Sequence, residues 1–199
     1  MTSKIDVEAI RNAVRNKYAE VARSGDDGTQ YPAGKPRAIA FGYAPSALRE
    51  IPEDALTGFC GVGNPFPLGP IHSGEMLLDV GSGTGVDLIV ASRLVGPTGQ
   101  AHGIDLTPKM VEIARKNLAC VGISNARVSL ACGEAIPYDD HTFDVALSNG
   151  VLNLSPLKDQ AFREIHRVLK PGGRFQFADI VLKEDLPTEL ANSLEAWCE

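Results

Sequence analysis

The sequence predicts a doubly wound α/β fold built on a mainly parallel sheet. Three observations indicate this fold class. From residue 75 onward, apolar runs of strand length alternate with segments whose apolar residues recur at helical spacing. Turns rich in glycine and proline separate these runs. The first run reaches Asp79 and then breaks into a turn over 81–85 with glycine at every second position, at a strand end where such sheets bind ligands.

The alternation defines the elements of the carboxyl-terminal part of the chain. Strands are expected at 75–80, 101–105, 126–131, 143–148 and 174–181. Helices are expected at 86–94, 108–121, 159–169 and 186–197. Pro108 occupies the first position of a helix, where proline is favoured, and Thr107 precedes it as a cap. Lys170, Pro171 and the two glycines after them are expected to end a helix before the last strand.

The amino-terminal part has less regular patterning. Apolar residues at helical spacing predict a helix over 5–23. The polar stretch 24–40 is expected to be a loop that is mobile or acts as a lid, and a short helix is expected at 45–49. The segment 58–65 contains three glycines and ends in a proline, so it cannot be regular structure. Its glycines suit close approach of the backbone to a ligand.

Length and composition indicate an ordinary globular protein. The 199 residues are expected to form one structural domain, with 75–199 as a Rossmann-like core and 1–74 as a helix and lid that pack on its ligand site. The net charge of −6, without any run of basic residues, argues against a nucleic-acid or membrane-surface partner. No apolar stretch approaches the roughly 20 residues of a membrane span, and no signal-peptide pattern is present, which predicts a cytoplasmic protein.

The cysteines predict neither a disulfide framework nor a metal site. No two of them have C-x-x-C spacing, so reduced thiols are expected in the cytoplasm. No catalytic role is expected for the histidines, because none has a partner carboxylate by spacing; they are His72, His102, His141 and His166. No pattern favours a particular oligomeric state.

Two interpretations compete for the glycine-rich turn. A dinucleotide site would bring a pyrophosphate to the following helix, but Asp79 would repel that anion and suits a ligand amino group. Asp105 follows Gly85 by twenty residues and can accept from ribose hydroxyls. Glu134, after the third strand, can accept from an adenine amino group. These groups describe a ligand with an adenine, a ribose and an amino-acid tail but without phosphates, which fits S-adenosylmethionine.

Four motifs resemble those of class I S-adenosylmethionine-dependent methyltransferases. They are LLDVGSGTG, GIDLTPKMVEIAR, GEAIPYDDHTFDVALSN and REIHRVLKPGGRF, and the resemblance covers 75–181. A narrower resemblance is to the arsenite methyltransferase subfamily. The stretches that carry it are GNPF, DLTPKM, SNGVLNLSP and FADIVLKEDLP.

The resemblance implies a set of cofactor-binding residues. Tyr18 corresponds to a tyrosine of the amino-terminal helix that lies over the cofactor, and Asn64 with the backbone near it would line the pocket. The remaining expected cofactor-binding residues are Asp79, Gly81, Ser82, Gly83, Gly85, Asp105, Leu106, Gly133, Glu134, Ala135 and Asn149. Asn149 and Asn153 are also expected to shape the site of a small-molecule acceptor.

The sequence departs from the arsenite subfamily where that subfamily holds arsenic. Gly150 stands where the subfamily has a cysteine, and Val62 stands where another precedes its GNP motif. Cys60 and Cys198 are therefore the candidate acceptor thiolates, since soft ligands suit arsenic; the alternative is that both are ordinary small residues. The other two cysteines, Cys120 and Cys132, are expected to serve packing.

The carboxyl-terminal end also departs from the family pattern. Class I methyltransferases continue past the fifth strand with an antiparallel hairpin, and only 18 residues follow Val181 here, so the hairpin strands are expected to be missing. The fifth strand would then be an edge. Three explanations are open: a shortened piece, a naturally minimal protein, or a product ended at a selenocysteine codon.

The sequence thus predicts a methyltransferase that transfers a methyl group from S-adenosylmethionine to a small acceptor, with trivalent arsenic held by thiolates as the subfamily likeness implies. A C- or O-methyltransferase for a quinone precursor or another metabolite is the main alternative. A non-catalytic protein that binds S-adenosylmethionine is a second alternative. A dehydrogenase is disfavoured by Asp79 and by the glycine spacing.

Overall fold

Five strands form one parallel sheet at the centre of the molecule. The computed structural model describes residues 6–25, 28, 32–184, 193, 194 and 197. The strands are β1 (Met76–Val80), β2 (Gln100–Asp105), β3 (Ala126–Leu130), β4 (Phe143–Asn149) and β5 (Leu169–Ala178). Their spatial order is β3-β2-β1-β4-β5, and every neighbouring pair is parallel. The chain reverses its direction of travel across the sheet between β1 and β4, so a ligand crevice opens beyond their carboxyl ends. The predicted doubly wound fold is confirmed.

Six α-helices accompany the sheet within the described residues. They are α1 (Val7–Ser24), α2 (Lys35–Ala40), α3 (Glu53–Thr57), α4 (Val86–Val95), α5 (Pro108–Cys120) and α6 (Lys158–Val168). Single 3-10 turns lie at Phe66–Leu68 and Leu152–Leu154. The expected helix at 186–197 falls almost entirely outside the described residues. None of the helices that the structure describes is both long enough and apolar enough to cross a bilayer.

The helix expected over 5–23 is α1, but two other expectations for the amino-terminal part were wrong. The last six residues of the expected loop 24–40 form the helix α2, and the expected helix at 45–49 is a series of hydrogen-bonded turns. The reason for α2 is tertiary. Its Arg37 is buried, and the guanidinium donates to the backbone oxygens of Gly61 and Cys60, so contacts distant in sequence hold this short helix.

β5 also differs from its prediction. It begins at Leu169 and ends at Ala178, whereas a turn over 170–173 and a strand over 174–181 were expected. Phe143 of β4 pairs with Leu169, but Val145 pairs with Arg174, so extra residues bulge out of β5 between these two pairs. Along the part of the chain that is described, no further strand pairs with the outer edge of β5.

The core lies on both faces of the sheet, because successive strand side chains point to opposite sides. Leu77 packs with residues of α4 and α5 on one face. Leu78 and Val80 pack with residues of α6 on the other. Tyr43 and Leu56, from the amino-terminal part, belong to the same cluster as Leu77. The amino-terminal part therefore packs on the same side of the sheet as α4 and α5.

Candidate cofactor cleft

A cleft opens where the carboxyl ends of β1, β2, β3 and β4 meet. It is lined by the glycine-rich turn, by the ends of these strands, by α1 and by the segment 58–61. Of the expected cofactor-binding residues, the lining includes Tyr18, Asp79, Gly81, Ser82, Gly83, Asp105, Leu106, Gly133, Glu134 and Asn149. Residues far apart in sequence thus converge where the parallel sheet reverses its strand order.

The glycine-rich turn has a fixed shape with an open face. Gly81 has φ +76°, and a Cβ built there would lie 2.2 Å from a methyl carbon of Val151. The backbone N–H groups of Gly81 and Ser82 both donate to the carbonyl of Ile104, which ties the turn to β2. Gly83 also has a positive φ, but nothing lies within 4 Å of a Cβ built on it. The turn therefore leaves free space at Gly83, where a ligand can approach the backbone closely.

Asp79 at the end of β1 has an unsatisfied carboxylate oxygen. Its side chain is buried, and its Oδ2 has no hydrogen-bond partner among the residues that the structure describes. Burial raises the pKa of Asp79 well above its usual range, and the nearby charges of Asp87 and Asp105 raise it further. A buried carboxylate oxygen without a partner is costly, so its place in the cleft favours a ligand with a cationic donor.

Asp105 at the end of β2 is held by backbone groups. Its Oδ2 accepts from the N–H of Gly83 at 2.9 Å, and its Oδ1 accepts from the N–H of Thr107 at 2.8 Å. Burial raises its pKa, while these two hydrogen bonds lower it. Each carboxylate oxygen has a further lone pair, so Asp105 can still accept from ligand hydroxyls.

Glu134, after β3, is already engaged by the protein. Its Oε1 accepts from the Ser155 hydroxyl at 2.5 Å, and its Oε2 accepts from the Arg11 guanidinium at 3.3 Å. The sequence predicted that Glu134 faces an adenine amino group, and it predicted neither of these partners. Arg11 lies on α1, so its approach to Glu134 depends on how that helix packs, and no spacing in the sequence signals it.

Asn149 at the end of β4 uses its amide to hold the segment 58–65. Its Oδ1 accepts from the N–H groups of Val62 and Gly63 at 2.9 and 3.2 Å, and its Nδ2 donates to the Gly63 carbonyl at 2.9 Å. A Cβ at Gly61 would lie 2.5 Å from this Nδ2, so only glycine fits there. Asn149 lines the cleft, but its polar atoms serve the chain itself.

Asp87 is a site residue that the sequence analysis missed. It lies in the first turn of α4, lines the cleft and is 6% exposed. The Tyr43 hydroxyl donates to its Oδ1 at 2.5 Å, and Asn149 Nδ2 donates to its Oδ2 at 3.0 Å. Burial raises the pKa of Asp87 to about 6. The sequence contains one signal for this residue. Asp87 is the acidic residue in the otherwise apolar first turn of α4, and a charged residue that is buried among apolar neighbours usually has a specific partner or function.

α1 covers the same end of the cleft as Glu134. Val14 and Tyr18 line the cleft and lie in or beside an apolar cluster with Leu154 and Trp197. The Trp197 indole donates to the Leu154 carbonyl at 2.9 Å, and the Lys158 ammonium lies 4.8 Å from the centre of the Trp197 ring. This apolar cluster covers the Glu134 end of the cleft, where Glu134 itself is buried.

The structure places one cysteine differently from its expectation. Cys60 lines the cleft, and its thiol donates to the Gly58 carbonyl at 3.4 Å. Cys132 also lines the cleft and is half-buried, with a pKa raised by burial, so its expected packing role stays a prediction. Cys120 is exposed at the end of α5, so the packing role expected for it was wrong. Cys198 lies outside the described residues.

Gly150 has a conformation that suits glycine. Its φ is +72°, and a Cβ there would lie 3.2 Å from a Val62 methyl carbon and 3.5 Å from the Cys60 carbonyl oxygen. A side chain at this position would project toward the segment that carries Cys60. The position therefore lies on the side of the cleft that the segment 58–61 forms.

Four expected site residues lie outside the lining of the cleft: Asn64, Gly85, Ala135 and Asn153. Asn64 donates to the Gly42 carbonyl and accepts from the Phe66 N–H, so it stabilises the turn after the segment 58–65. Gly85 is the amino-terminal cap of α4. Ala135 is exposed, and Asn153 lies in the 3-10 turn after β4 with its Oδ1 unpartnered among the described residues.

A model of the methyltransferase domain family matches residues 71–199. The chain belongs to this methyltransferase family. The arsenite methyltransferase of Halobacterium salinarum is 33% identical over 207 residues, which cover 96% of this chain and 52% of that protein. The human arsenite methyltransferase is 32% identical, over 98% of this chain and 52% of that protein. The chain thus spans about half the length of the curated relatives it matches.

A solved structure of the methyltransferase family shares the fold. The arsenic(III) S-adenosylmethionine methyltransferase of Chlamydomonas reinhardtii superimposes with a TM-score of 0.67 at 34% identity, over 73% of this chain and 51% of that one. A ubiquinone/menaquinone biosynthesis C-methyltransferase of Escherichia coli is 41% identical over 106 residues, which cover 52% of this chain and 42% of that protein. The predicted fold and the predicted cofactor of the family, S-adenosylmethionine, are confirmed.

Proposed function

We propose that this chain is an S-adenosylmethionine-dependent methyltransferase whose acceptor is trivalent arsenic. The observation that carries the proposal is the unpartnered, buried Oδ2 of Asp79 in a cleft beside the open face of Gly83. A ligand with an ammonium group satisfies that oxygen, and a ligand in van der Waals contact with the turn fills that space.

The residues of the cleft suit the parts of the cofactor. Asp79 would hold the ammonium group, Asp105 would accept from the ribose hydroxyls, and Tyr18 with Leu106 would cover the adenosine from the side of α1. Glu134 would meet the adenine together with its partner Arg11. When bound, the cofactor supplies a methyl group on a sulfonium centre that is already activated for displacement, so the protein's tasks are positioning and exclusion of water.

The acceptor proposal is supported by the relatives and by Cys60. Arsenite methyltransferases match this chain at 29–33% identity over 91–100% of its length. Cys60 lines the cleft on the segment 58–65, and a thiolate there suits a soft centre such as trivalent arsenic. Arsenic(III) carries a lone pair that can attack the methyl carbon and displace S-adenosylhomocysteine as the leaving thioether, so no general base is needed.

The test measures methyl transfer from S-adenosylmethionine to arsenite in the presence of glutathione, with methylated arsenic detected by chromatography and mass spectrometry. Cys60→Ala is expected to lower the rate at least tenfold. Cys120→Ala is the matched control, because Cys120 is an exposed thiol on α5 outside the cleft lining. Methylation that is equal in the wild type and in Cys60→Ala would contradict a role for this thiol.

A second candidate is methylation of a small organic acceptor. Two observations favour it: Gly150 replaces a cysteine expected in the arsenite subfamily, and the identity to the quinone C-methyltransferase is 41% over the shared region. The same assay with a hydroxylated quinone precursor distinguishes the two. Transfer to the quinone precursor but not to arsenite would replace the first proposal, and cofactor binding without transfer to either would favour a non-catalytic binding protein.

A further inference from the structure

The charges that line the cleft are distributed unevenly. At one end Glu134 is paired with Arg11 at 3.3 Å. At the other end Asp79 and Asp87 are buried, 2% and 6% exposed, and the ion pairs found between described residues include neither of them. A buried carboxylate without a cation is unfavourable. The cleft therefore favours a ligand whose positive charge lies at the Asp79 end and whose neutral part lies at the Glu134 end.

Among the residues that the structure describes, neutral donors alone hold Asp87 in place. The Tyr43 hydroxyl donates to one carboxylate oxygen at 2.5 Å, and the Asn149 amide donates to the other at 3.0 Å. Such donors fix the carboxylate without cancelling its charge. The field of Asp87 reaches Asp79, whose pKa it raises. The two carboxylates thus act on the same part of the cleft.

Asp79 supplies an independent sign that a ligand completes this part of the cleft. Its Oδ2 is buried and has no partner among the residues described, although it lies in the cleft lining. The two buried carboxylates differ in this respect, since both oxygens of Asp87 are occupied. Asp79 has a free oxygen for a direct hydrogen bond, whereas Asp87 acts on a ligand through its charge.

We propose that Asp87 determines the preference of the cleft for a sulfonium ligand over the corresponding neutral thioether. The inference rests on the proposed function, in which S-adenosylmethionine is bound here. That cofactor carries an ammonium and a sulfonium charge, and the product S-adenosylhomocysteine keeps only the ammonium. Asp79 would bind the ammonium group, which both ligands have. Asp87 would attract the sulfonium charge, which methyl transfer removes, so the affinity for the product is lower than the affinity for the cofactor.

The test is isothermal titration calorimetry of the purified chain with S-adenosylmethionine, S-adenosylhomocysteine and sinefungin, which carries an amine at the sulfonium position. Asp87→Asn is expected to weaken the two cationic ligands roughly ten- to a hundredfold, the scale of one charge–charge interaction in a protein interior. Its affinity for the thioether is expected to change less than about threefold. Asp79→Asn, the matched variant, is expected to weaken all three ligands.

The outcomes separate this inference from the proposed function. Asp87→Asn that weakens all three ligands equally, or none of them, would overturn the role of Asp87 while the cofactor assignment stands. A wild-type chain that binds none of the three ligands would overturn the proposed function itself. Tyr43→Phe removes a donor from Asp87 but keeps its charge, so it is expected to retain the preference for the cationic ligands.

A measurement on the wild type covers the case in which Asp87→Asn does not fold. The ratio of the two affinities, cofactor over product, is expected to fall as the pH is lowered from about 8 to about 5, because Asp87 becomes protonated. The polar groups that act on Asp87 are Tyr43, which burial keeps protonated, the uncharged Asn149, and Asp79, which acts on both ligands through their common ammonium. A ratio that stays constant over this range would contradict the proposal.

Discussion

The two halves of the cleft are built in different ways. The half proposed to bind the cofactor, called the cofactor half, consists of strand ends that are neighbours in one sheet, and its polar groups come from Asp79, Asp105 and the turn between β1 and α4. The half proposed to bind the acceptor, called the acceptor half, consists of the segment 58–65. Side chains of distant elements hold this segment: Arg37 of α2 on one side and Asn149 of β4 on the other. A local motif therefore specifies the first half, and long-range hydrogen bonds specify the second.

The largest effect is expected from Asp79→Asn, which breaks the cofactor half alone. Loss of the charge should weaken S-adenosylmethionine binding about a hundredfold, while removal of an unpaired buried carboxylate should raise the melting temperature of the ligand-free chain. Calorimetric titration and thermal unfolding measure the two quantities. Asp54→Asn is the control, because Asp54 is exposed and pairs with Lys116. Equal cofactor binding by wild type and Asp79→Asn would contradict the proposed site.

The next effect concerns the pH dependence of stability. Burial raises the pKa of Asp87 in the folded chain from 3.8 to about 6. Its contribution to stability is therefore fully present below the unfolded value and is lost as the pH rises through about 6, by up to about 3 kcal/mol. The buried His102, whose pKa burial lowers to about 4, acts in the opposite direction: its contribution is present above its unfolded value and is lost as the pH falls.

The measurement is the free energy of unfolding by denaturant, for wild type and Asp87→Asn, at pH values from below 3.8 to above 6. The contribution of His102 is the same in both proteins and cancels in the difference between their free energies of unfolding. The stability of the wild type relative to Asp87→Asn should therefore fall as the pH rises through about 6. Cys60→Ser, in the acceptor half, is expected to differ from wild type by a constant amount over the same acidic range. A constant difference for Asp87→Asn would show that its carboxylate is not perturbed by burial.

A smaller effect is expected from Arg37→Ala, which breaks the acceptor half alone. Two carbonyls of the segment 58–65 lose a buried charged donor, so the free energy of unfolding should fall by about 2–3 kcal/mol. The KM for the acceptor should rise while the Kd for S-adenosylmethionine stays unchanged. Arg93→Ala is the matched control, since Arg93 also donates to two carbonyls, those of Ala47 and Arg49, but in exposed contacts. An equal loss of stability in both variants would contradict the importance of Arg37.

The smallest effect is expected from a pair of glycine substitutions that compares the halves directly. Gly83 and Gly150 both have positive φ, so Gly83→Ala and Gly150→Ala should each lower stability by about 1 kcal/mol. Only the first should weaken cofactor binding, because its Cβ enters the open space over the turn. The second should act on the acceptor, because its Cβ approaches Val62 and the Cys60 carbonyl. Denaturant unfolding measures the stability of each variant, and calorimetric titration measures its affinity for S-adenosylmethionine. Weaker cofactor binding by Gly150→Ala would contradict the assignment of Gly150 to the acceptor half.

Most of the sheet could be predicted from the sequence, and some of its borders could not. Strands β1 to β4 lie within one residue of their predicted ends. β1, β2 and β4 are largely buried runs, which a sequence pattern reveals well, whereas only Val128 of β3 is buried. β5 starts five residues early, because its pairing with β4 absorbs the turn 170–173 as a bulge. α2 was missed because its stability comes from the buried Arg37.

Sequence patterns alone were enough to predict the fold class, the place of the cleft and the carboxylates Asp79 and Asp105. Each depends on a local pattern, an apolar run followed by a turn or an acid, which sheet geometry turns into one site. The pairing of Glu134 with Arg11, the hydrogen bonds between Asn149 and the segment 58–65, and the burial of Asp87 beside the cleft are visible only in the folded chain. They could not be predicted because burial and hydrogen-bond partners come from elements distant in sequence, and these set the charge of the cleft.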